Sequence, residues 1–250
     1  MRDGALAIGA LLSMLATTCH SALSTRARVP VNTPYARNGV AFVRDFLPQG
    51  IFEEIVADCR SLRGNMKREK NSIALGRLGR MVDRNSITHA RLTSESVVQR
   101  VSRLAGQTLV PSEYPIEMRV YTSGACMDWH KDDEMYDMPQ LEMVYCLENT
   151  SDSETEWIID GDEGLCSEWT PPNSALLVRA GESGARHRVR PLRRGERTIL
   201  KLIWHSPDSV PIDRFWTHMD SFPGLRSGQR PKATGASSSG GQRRRNRKSK

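Results

Sequence analysis

Tyr121 to Asp132, which read YTSGACMDWHKD, form the stretch of the sequence that decides its fold. His130 and Asp132 lie two residues apart at the predicted end of a β-strand, where residues at a spacing of two point to the same face. An imidazole and a carboxylate therefore converge. A third group must come from elsewhere, and His187 is the best candidate because it begins HRVRPL, an alternating segment that can lie beside the first strand.

Two histidines and one carboxylate on one side of a metal, with the other side open, form the facial triad of non-haem Fe(II) enzymes. Zinc can occupy the same three ligands, so the triad by itself does not distinguish the two metals. Arg197 follows His187 by ten residues in a Gly-Glu-Arg turn and begins the apolar run RTILKLIW. Such a run is typical of a buried strand.

In this order and spacing, His130, Asp132, His187 and Arg197 resemble the motif of the Fe(II)/2-oxoglutarate-dependent dioxygenase superfamily, closest to its prolyl 4-hydroxylase-like branch. The resemblance covers residues 39–205. It implies a double-stranded β-helix, or jelly-roll, core and an enzyme that hydroxylates a C–H bond while 2-oxoglutarate is decarboxylated to succinate and carbon dioxide. It further implies Fe(II) as the metal, a peptidyl, prolyl-type substrate and ascorbate as a candidate reductant. No catalytic residue beyond the metal ligands is needed, because metal and cosubstrate carry the chemistry.

The resemblance also implies which residues contact the cosubstrate. It places Arg197 against the far carboxylate of 2-oxoglutarate, and a planar guanidinium can hold a carboxylate through two charge-assisted hydrogen bonds. Tyr121 and Tyr145 match positions where related hydroxylases place phenols against the cosubstrate, although two tyrosines packed in the core are a simple alternative. Met127 departs from the family, many of whose members carry an aromatic residue three positions before the first histidine.

Three further residues are candidates for a supporting role around the metal. The rings of Trp129 and Trp204 can exclude water, and Lys201 shares a strand face with Arg197 and Ile199. Each of the three also fits an ordinary place in the core or on the surface.

Helices precede strands along the chain. A helix is predicted over residues 51–62 after Pro48, and a second begins near Ser94 and ends at Gly106. Residues 63–90, between these helices, are basic and aperiodic, and we expect a flexible loop or a substrate lid there. Short apolar runs separated by turn residues follow, at residues 117–122, 141–149, 155–160, 165–170, 174–180, 187–192 and 197–204. This order predicts an α+β domain with N-terminal helices flanking an antiparallel jelly-roll core, and a last short helix over residues 212–222.

The two ends of the chain differ from its middle. The net charge of +7 comes from the ends, which are rich in Arg and Lys, whereas the part between them is net negative. A short apolar run, Ala5 to Ala16, follows Arg2 in the manner of a secretory signal peptide, and the acid-free residues 24–43 resemble an organellar transit peptide. We therefore expect targeting to the secretory pathway and endoplasmic reticulum, or to a plastid or mitochondrion.

The resulting domain prediction has five parts. They are a signal or targeting segment (1–24), a linker or transit-like segment (25–37), the dioxygenase domain (38–208), a C-terminal extension (209–224) and a disordered basic tail (225–250). No apolar run reaches membrane-spanning length, so no membrane partner is expected for the mature form. The five cysteines show no zinc-binding spacing, and buried free thiols are favoured over disulfides.

Two other functions remain open at this point. An oxidative demethylase of the same superfamily could contact nucleic acid through the basic tail, although the acidic middle of the chain does not favour it. A non-catalytic jelly-roll protein could use the triad to bind zinc and a ligand.

Overall fold

The computed structural model of the protein describes residues 32–69, 73–159 and 164–220. The predicted targeting segment 1–24 and the basic tail 225–250 lie outside the described residues and stay predictions. The helices are α1 (Pro34–Asn38), α2 (Gln49–Arg60), α3 (Ile87–Leu92), α4 (Glu95–Ala105) and α5 (Asp213–Asp220). The strands are β1 (Val40–Val43), β2 (Lys67–Arg68), β3 (Ala74–Met81), β4 (Val110–Pro111), β5 (Glu117–His130), β6 (Leu141–Asn149), β7 (Thr155–Ile158), β8 (Leu165–Glu168), β9 (Ser174–Arg179), β10 (Arg186–Val189) and β11 (Arg197–His205).

These strands form one antiparallel sheet that curls into the jelly-roll core expected from the sequence. Its main path runs β1-β9-β6-β11-β5-β10-β7-β8, with β3 also on β5, β2 on β3, and β4 on β11. Because β5 pairs with both β11 and β10, its two halves belong to different walls of the curled sheet. The inside of the curl is therefore lined by residues from strands far apart in sequence.

Helices α1, α2, α3 and α4 cover the outer face of the sheet, whereas α5 packs in a separate cluster. On α4, Val97, Val101 and Ala105 recur every four residues and form one buried stripe. The helix ends at Gly106, whose φ of 74° is the left-handed conformation that a glycine cap adopts at little cost. This stripe packs with α2 against strand residues such as Leu200. Burying a large apolar side chain in this way stabilises the fold by about 1.5–3 kcal/mol.

The described residues of the range 63–90 are not a structureless loop, which corrects that part of the expectation from the sequence, and the substrate lid stays a prediction. They contain β2, β3 and the first part of α3, and β3 pairs with β5 along much of its length. The strand was missed because ALGRLGRM carries two glycines and two arginines where apolar alternation would mark a strand. Gly76, with a φ of 69°, lies at an irregularity in this pairing.

Several other features refine the sequence expectations. Packed structure begins ahead of the predicted boundary at residue 38, because Tyr35 on α1 is buried in the main core. The last helix, α5, forms as expected and packs Phe215 and Met219 against the sheet. The four cysteines of the described ranges are free thiols. Within the same ranges, no helix has the length and apolar character needed to cross a membrane.

Candidate metal centre

The three predicted metal ligands meet at one mouth of the curled sheet. His130, the last residue of β5, is the register partner of His187 on β10, and their ring centroids are 4.2 Å apart. Asp132 follows β5 and approaches both imidazoles: its Oδ1 is 3.8 Å from His130 Nε2 and its Oδ2 is 3.5 Å from His187 Nε2. One ligand atom from each residue lies within 4.8 Å of the others. Antiparallel pairing of two strands distant in sequence thus forms the triad.

Hydrogen bonds to the backbone orient both imidazoles. His130 Nδ1 lies 2.8 Å from the carbonyl oxygen of Asp128, and His187 Nδ1 lies 3.2 Å from that of Ala185. A carbonyl oxygen only accepts, so each Nδ1 carries a proton and each Nε2 faces Asp132 at the centre of the triad. His130 Nε2 is buried and has no hydrogen-bond partner among the described residues. An unpartnered buried nitrogen is costly, and a metal ion would satisfy it.

The electrostatics of the centre favour the forms that bind a metal. Burial, reinforced by His187, lowers the pKa of His130 to about 4, so its imidazole is neutral at physiological pH. Burial acts in the opposite direction on Asp132, but the charge of Lys201, reinforced by interactions with the two histidines, outweighs it and holds its pKa below the usual range. A neutral imidazole and an ionised carboxylate are what coordination requires.

Lys201 and Glu142 form a buried ionic cluster with Asp132. Lys201 Nζ lies 3.5 Å from Asp132 Oδ1 and is in closer contact with Glu142 Oε2. Burial and the charge of Asp132 raise the pKa of Glu142 above its usual range. Of the three supporting candidates, Lys201 is therefore the one beside the metal ligands. Glu142 was missed, although a lone acid within the apolar strand LEMVYC was a signal for a buried charge.

Arg197 lies in a narrow cavity that continues inward from the triad. Its side chain is 1% exposed, and its Nη1 donates to Thr155 Oγ1 at 2.6 Å. The Nε atom is buried without a hydrogen-bond partner; the guanidinium interacts with the Cys146 thiol, and no carboxylate of the described residues forms an ion pair with it. A buried guanidinium in this state is a strong site for an anion, because an uncompensated buried charge is costly.

Tyr121 lines the same cavity as Arg197, and the two are register partners on β5 and β11. Its hydroxyl accepts a hydrogen bond from Arg77 Nη1 at 3.1 Å and lies 3.6 Å from Met127 Sδ. Met127, which the sequence analysis identified as a departure from the family pattern, lines this cavity too. The cavity wall there is consequently a flexible thioether.

Tyr145 does not lie in this cavity, contrary to its predicted role. It points to the helix-covered face of the sheet, where its ring packs edge-on against Phe46 and its hydroxyl donates to Asn173 Oδ1 at 2.8 Å. Its neighbour Val144 lines the cavity instead. Side chains alternate along β6, so a residue next to an inward one must point outward. Tyr145 is therefore a packed core tyrosine.

Neither tryptophan lies at the metal centre. Trp204 is buried among the residues that pack under the helices, on the face of β11 opposite to Lys201. Trp129 contacts the guanidinium groups of Arg186 and Arg188, which are 5.8 and 4.7 Å from the centre of its ring. Its aromatic face is thus used in cation–π contacts.

A larger cavity of about 1010 Å³ is also lined by residues of the triad. Its walls include His130, Asp132, Met135 and Tyr114, together with ion-paired side chains such as Arg119, whose Nε is 3.0 Å from Glu117 Oε2. The volume is at the upper end of the range for ligand pockets. Residues of the triad therefore line both a narrow cavity that contains Arg197 and a wide cavity with both charged and apolar walls.

No family model matches the sequence, and no curated protein matches it either. The fold, in contrast, is similar to solved structures. A prolyl-4-hydroxylase from Pseudomonas putida is 19% identical, with 68% of this chain and 94% of that chain covered and a TM-score of 0.55. A prolyl hydroxylase from Trichoplax adhaerens, solved with a hypoxia inducible factor peptide fragment, is 15% identical, with coverages of 68% and 84% and a TM-score of 0.56.

The non-heme alpha ketoglutarate dependent epimerase SnoN from nogalamycin biosynthesis is also similar in fold. It is 12% identical, with 78% of this chain and 86% of that chain covered and a TM-score of 0.63. Another structure of SnoN contains Fe3+, alpha ketoglutarate and nogalamycin RO. The chain has the fold of the 2-oxoglutarate- and Fe(II)-dependent oxygenases, and its His130-x-Asp132 with His187 fits the triad of that superfamily.

Proposed function

We propose that the protein is an Fe(II)- and 2-oxoglutarate-dependent oxygenase that hydroxylates a C–H bond of its substrate. The observation that carries this proposal is Arg197, a buried and uncompensated cation in the cavity that begins at the triad. A metal site alone would fit zinc equally well. A metal site joined to a buried anion site fits a cosubstrate that has one end for the metal and a carboxylate at the other.

The chain's own residues would bind, orient and shield the two groups. His130, His187 and Asp132 would hold the metal, and Arg197 would hold the far carboxylate with support from Thr155. Apolar residues of the same cavity, among them Val189 and Ile199, would exclude water from the space between the metal and the far carboxylate. When bound, iron and 2-oxoglutarate supply the oxidation: dioxygen gives one oxygen atom to the C–H bond and one to succinate, with release of carbon dioxide.

For the substrate, we propose a peptide segment with a prolyl-type target residue. Two of the proteins that share the fold are prolyl hydroxylases, and the wide cavity is large enough for a peptide segment. Its polar walls would have to contact the peptide backbone and flanking side chains. Ascorbate as a reductant stays a prediction, which turnover with and without ascorbate would test.

The first experiment uses the full chain under anaerobic conditions. Fe(II) and 2-oxoglutarate are added, and we expect the visible charge-transfer band that a chelated keto acid gives with ferrous iron, with no band when Zn(II) replaces Fe(II). Folded, metal-loaded protein without this band would contradict the proposal and favour a zinc or ligand-binding protein. Succinate release is then measured with proline-containing peptides, matched peptides carrying Ala for Pro, and single-stranded DNA. Stimulation by DNA but not by the peptides would reject the peptide substrate.

A further inference from the structure

A second arginine lies next to the candidate cosubstrate cavity. Arg77 on β3 is the register partner of Tyr121, which in turn is the register partner of Arg197. Register partners in a sheet point to the same face, so Arg77, Tyr121 and Arg197 form one row across three strands. All three side chains are almost completely buried, with exposures of 1%, 2% and 1%.

The two arginines of this row differ in charge compensation. Arg77 Nε donates to Glu69 Oε2 at 2.7 Å, and its Nη2 forms an ion pair with the same carboxylate. Its charge is therefore neutralised, whereas that of Arg197 is not. Arg77 Nη1 donates to Tyr121 Oη at 3.1 Å and also lies 3.3 Å from Met127 Sδ, and the guanidinium carbon is 5.7 Å from the centre of the tyrosine ring. Arg77 is thus suited to hold Tyr121 and not to bind an anion itself.

The hydrogen bond from Arg77 determines what the Tyr121 hydroxyl can do next. A guanidinium only donates, so it occupies a lone pair of the phenol oxygen and leaves the phenol proton for another acceptor. The acceptor within reach among the described residues is Met127 Sδ at 3.6 Å, and a thioether is a weak acceptor. A carboxylate in the cavity would be a much stronger one, and the cation behind the phenol would strengthen the bond.

We propose that Arg77 is a positioning residue for the cosubstrate: it fixes the Tyr121 hydroxyl as a donor, so that Tyr121 and Arg197 together bind the far carboxylate of 2-oxoglutarate. This inference rests on the proposed function. Arg77 acts through Tyr121 and does not touch the cosubstrate. The alternative role is purely structural, a buried ion pair that joins Glu69 to the sheet.

The experiment compares two keto acids on the Fe(II)-loaded protein under anaerobic conditions. Binding is followed by the charge-transfer band, with 2-oxoglutarate and with 2-oxobutyrate, which lacks the far carboxylate. We expect Arg77→Met to weaken 2-oxoglutarate binding about 10-fold, the loss of roughly one charge-assisted hydrogen bond, and to leave 2-oxobutyrate binding within about 2-fold. Arg80→Met is the matched control, because Arg80 lies on the same strand and bonds to the Leu62 carbonyl oxygen instead of Tyr121. It should leave both affinities unchanged.

A double-mutant cycle separates positioning from a structural role. Tyr121→Phe should weaken 2-oxoglutarate binding by a similar factor, and Arg77→Met should add little in that background because the phenol it acts through is gone. If Arg77→Met does not fold, Arg77→Lys replaces it, since an ammonium can remain with Glu69 but lacks the fork that also reaches Tyr121. Equal losses for both keto acids, independent losses in the cycle, or an unaffected Tyr121→Phe would overturn the inference. Absence of the band in the wild-type protein would instead reject the proposed function.

Discussion

Replacing Lys201 with Met should destabilise the metal-free protein far more than the loss of a surface charge. Lys201 faces two carboxyl groups, Asp132 and Glu142, and the side chains of all three are at least 88% buried, with exposures of 12%, 8% and 1%. Without the ammonium, two buried carboxyl groups are left beside each other. Removing one partner of a buried ion pair costs about 3–5 kcal/mol. The exposed pair of Arg91 with Glu54, at 2.7 Å, should cost about 0–1 kcal/mol when Arg91 is replaced.

Urea unfolding followed by tryptophan fluorescence, with a chelator present, measures this difference. We expect Lys201→Met to lower the free energy of unfolding by about 4 kcal/mol and Arg91→Met by less than about 1 kcal/mol. Adding Glu142→Gln to Lys201→Met should recover part of the loss, because one of the two facing carboxyl groups is removed while the side-chain shape is kept. Zn(II) should also reduce the difference in free energy of unfolding between Lys201→Met and the wild-type protein. A dication at the triad would replace part of the missing positive charge beside Asp132.

Two results would refute this reasoning. If Lys201→Met and Arg91→Met cost the same, the buried cluster does not depend on the ammonium. If adding Glu142→Gln lowers the stability of the Lys201→Met variant further, the Glu142 carboxyl group makes a favourable contact there and is not an uncompensated charge.

The remaining predictions concern the metal, the cosubstrate and the core. Asp132→Ala should abolish stoichiometric Fe(II) binding, measured by metal analysis after gel filtration, while the far-ultraviolet circular dichroism spectrum stays unchanged. Retained iron would contradict the assignment of the triad as the metal ligands. Arg197→Met should weaken 2-oxoglutarate binding by about 100-fold, because a charged hydrogen-bonding partner worth about 1.5–3 kcal/mol is lost, and should leave Fe(II) binding within a few-fold. Comparable losses of 2-oxoglutarate and Fe(II) affinity would point to a structural arginine. Tyr145→Phe should lower the free energy of unfolding by about 0.5–1.5 kcal/mol, because the hydrogen bond to Asn173 is lost, and should leave 2-oxoglutarate affinity unaltered. A weakened affinity would mean that Tyr145 contacts the cosubstrate.

The strands and helices with regular patterns could be predicted from the sequence. The strand β6 was expected over the residues that form it, and α4 was expected with its glycine stop at Gly106. The metal ligands could be proposed for the same reason. A spacing of two places His130 and Asp132 together through local geometry alone, and the alternating segment at His187 indicated a strand able to pair with theirs.

The strand β3 could not be predicted, because local patterning was absent. The residue of β3 that points inward, Arg77, is charged. Glu69 compensates the charge of Arg77 only in the folded protein, where β3 is paired with β5 and Glu69 lies beside Arg77. Read from the sequence alone, an arginine in an aperiodic segment predicts a surface loop. The consequence for function is direct, because Arg77 contacts Tyr121.

The sequence by itself determined the order of elements, the residue types of the triad and the place of Arg197 at the start of a buried strand. Tertiary structure alone decided which face each side chain takes. Both faces of β6 are buried, one under the helices and one in the curl of the sheet, so alternation cannot tell that Tyr145 points outward and Glu142 inward. The cluster of Glu142, Lys201 and Asp132 likewise arises from strand pairing between segments far apart in the chain, since register in an antiparallel sheet is a long-range property.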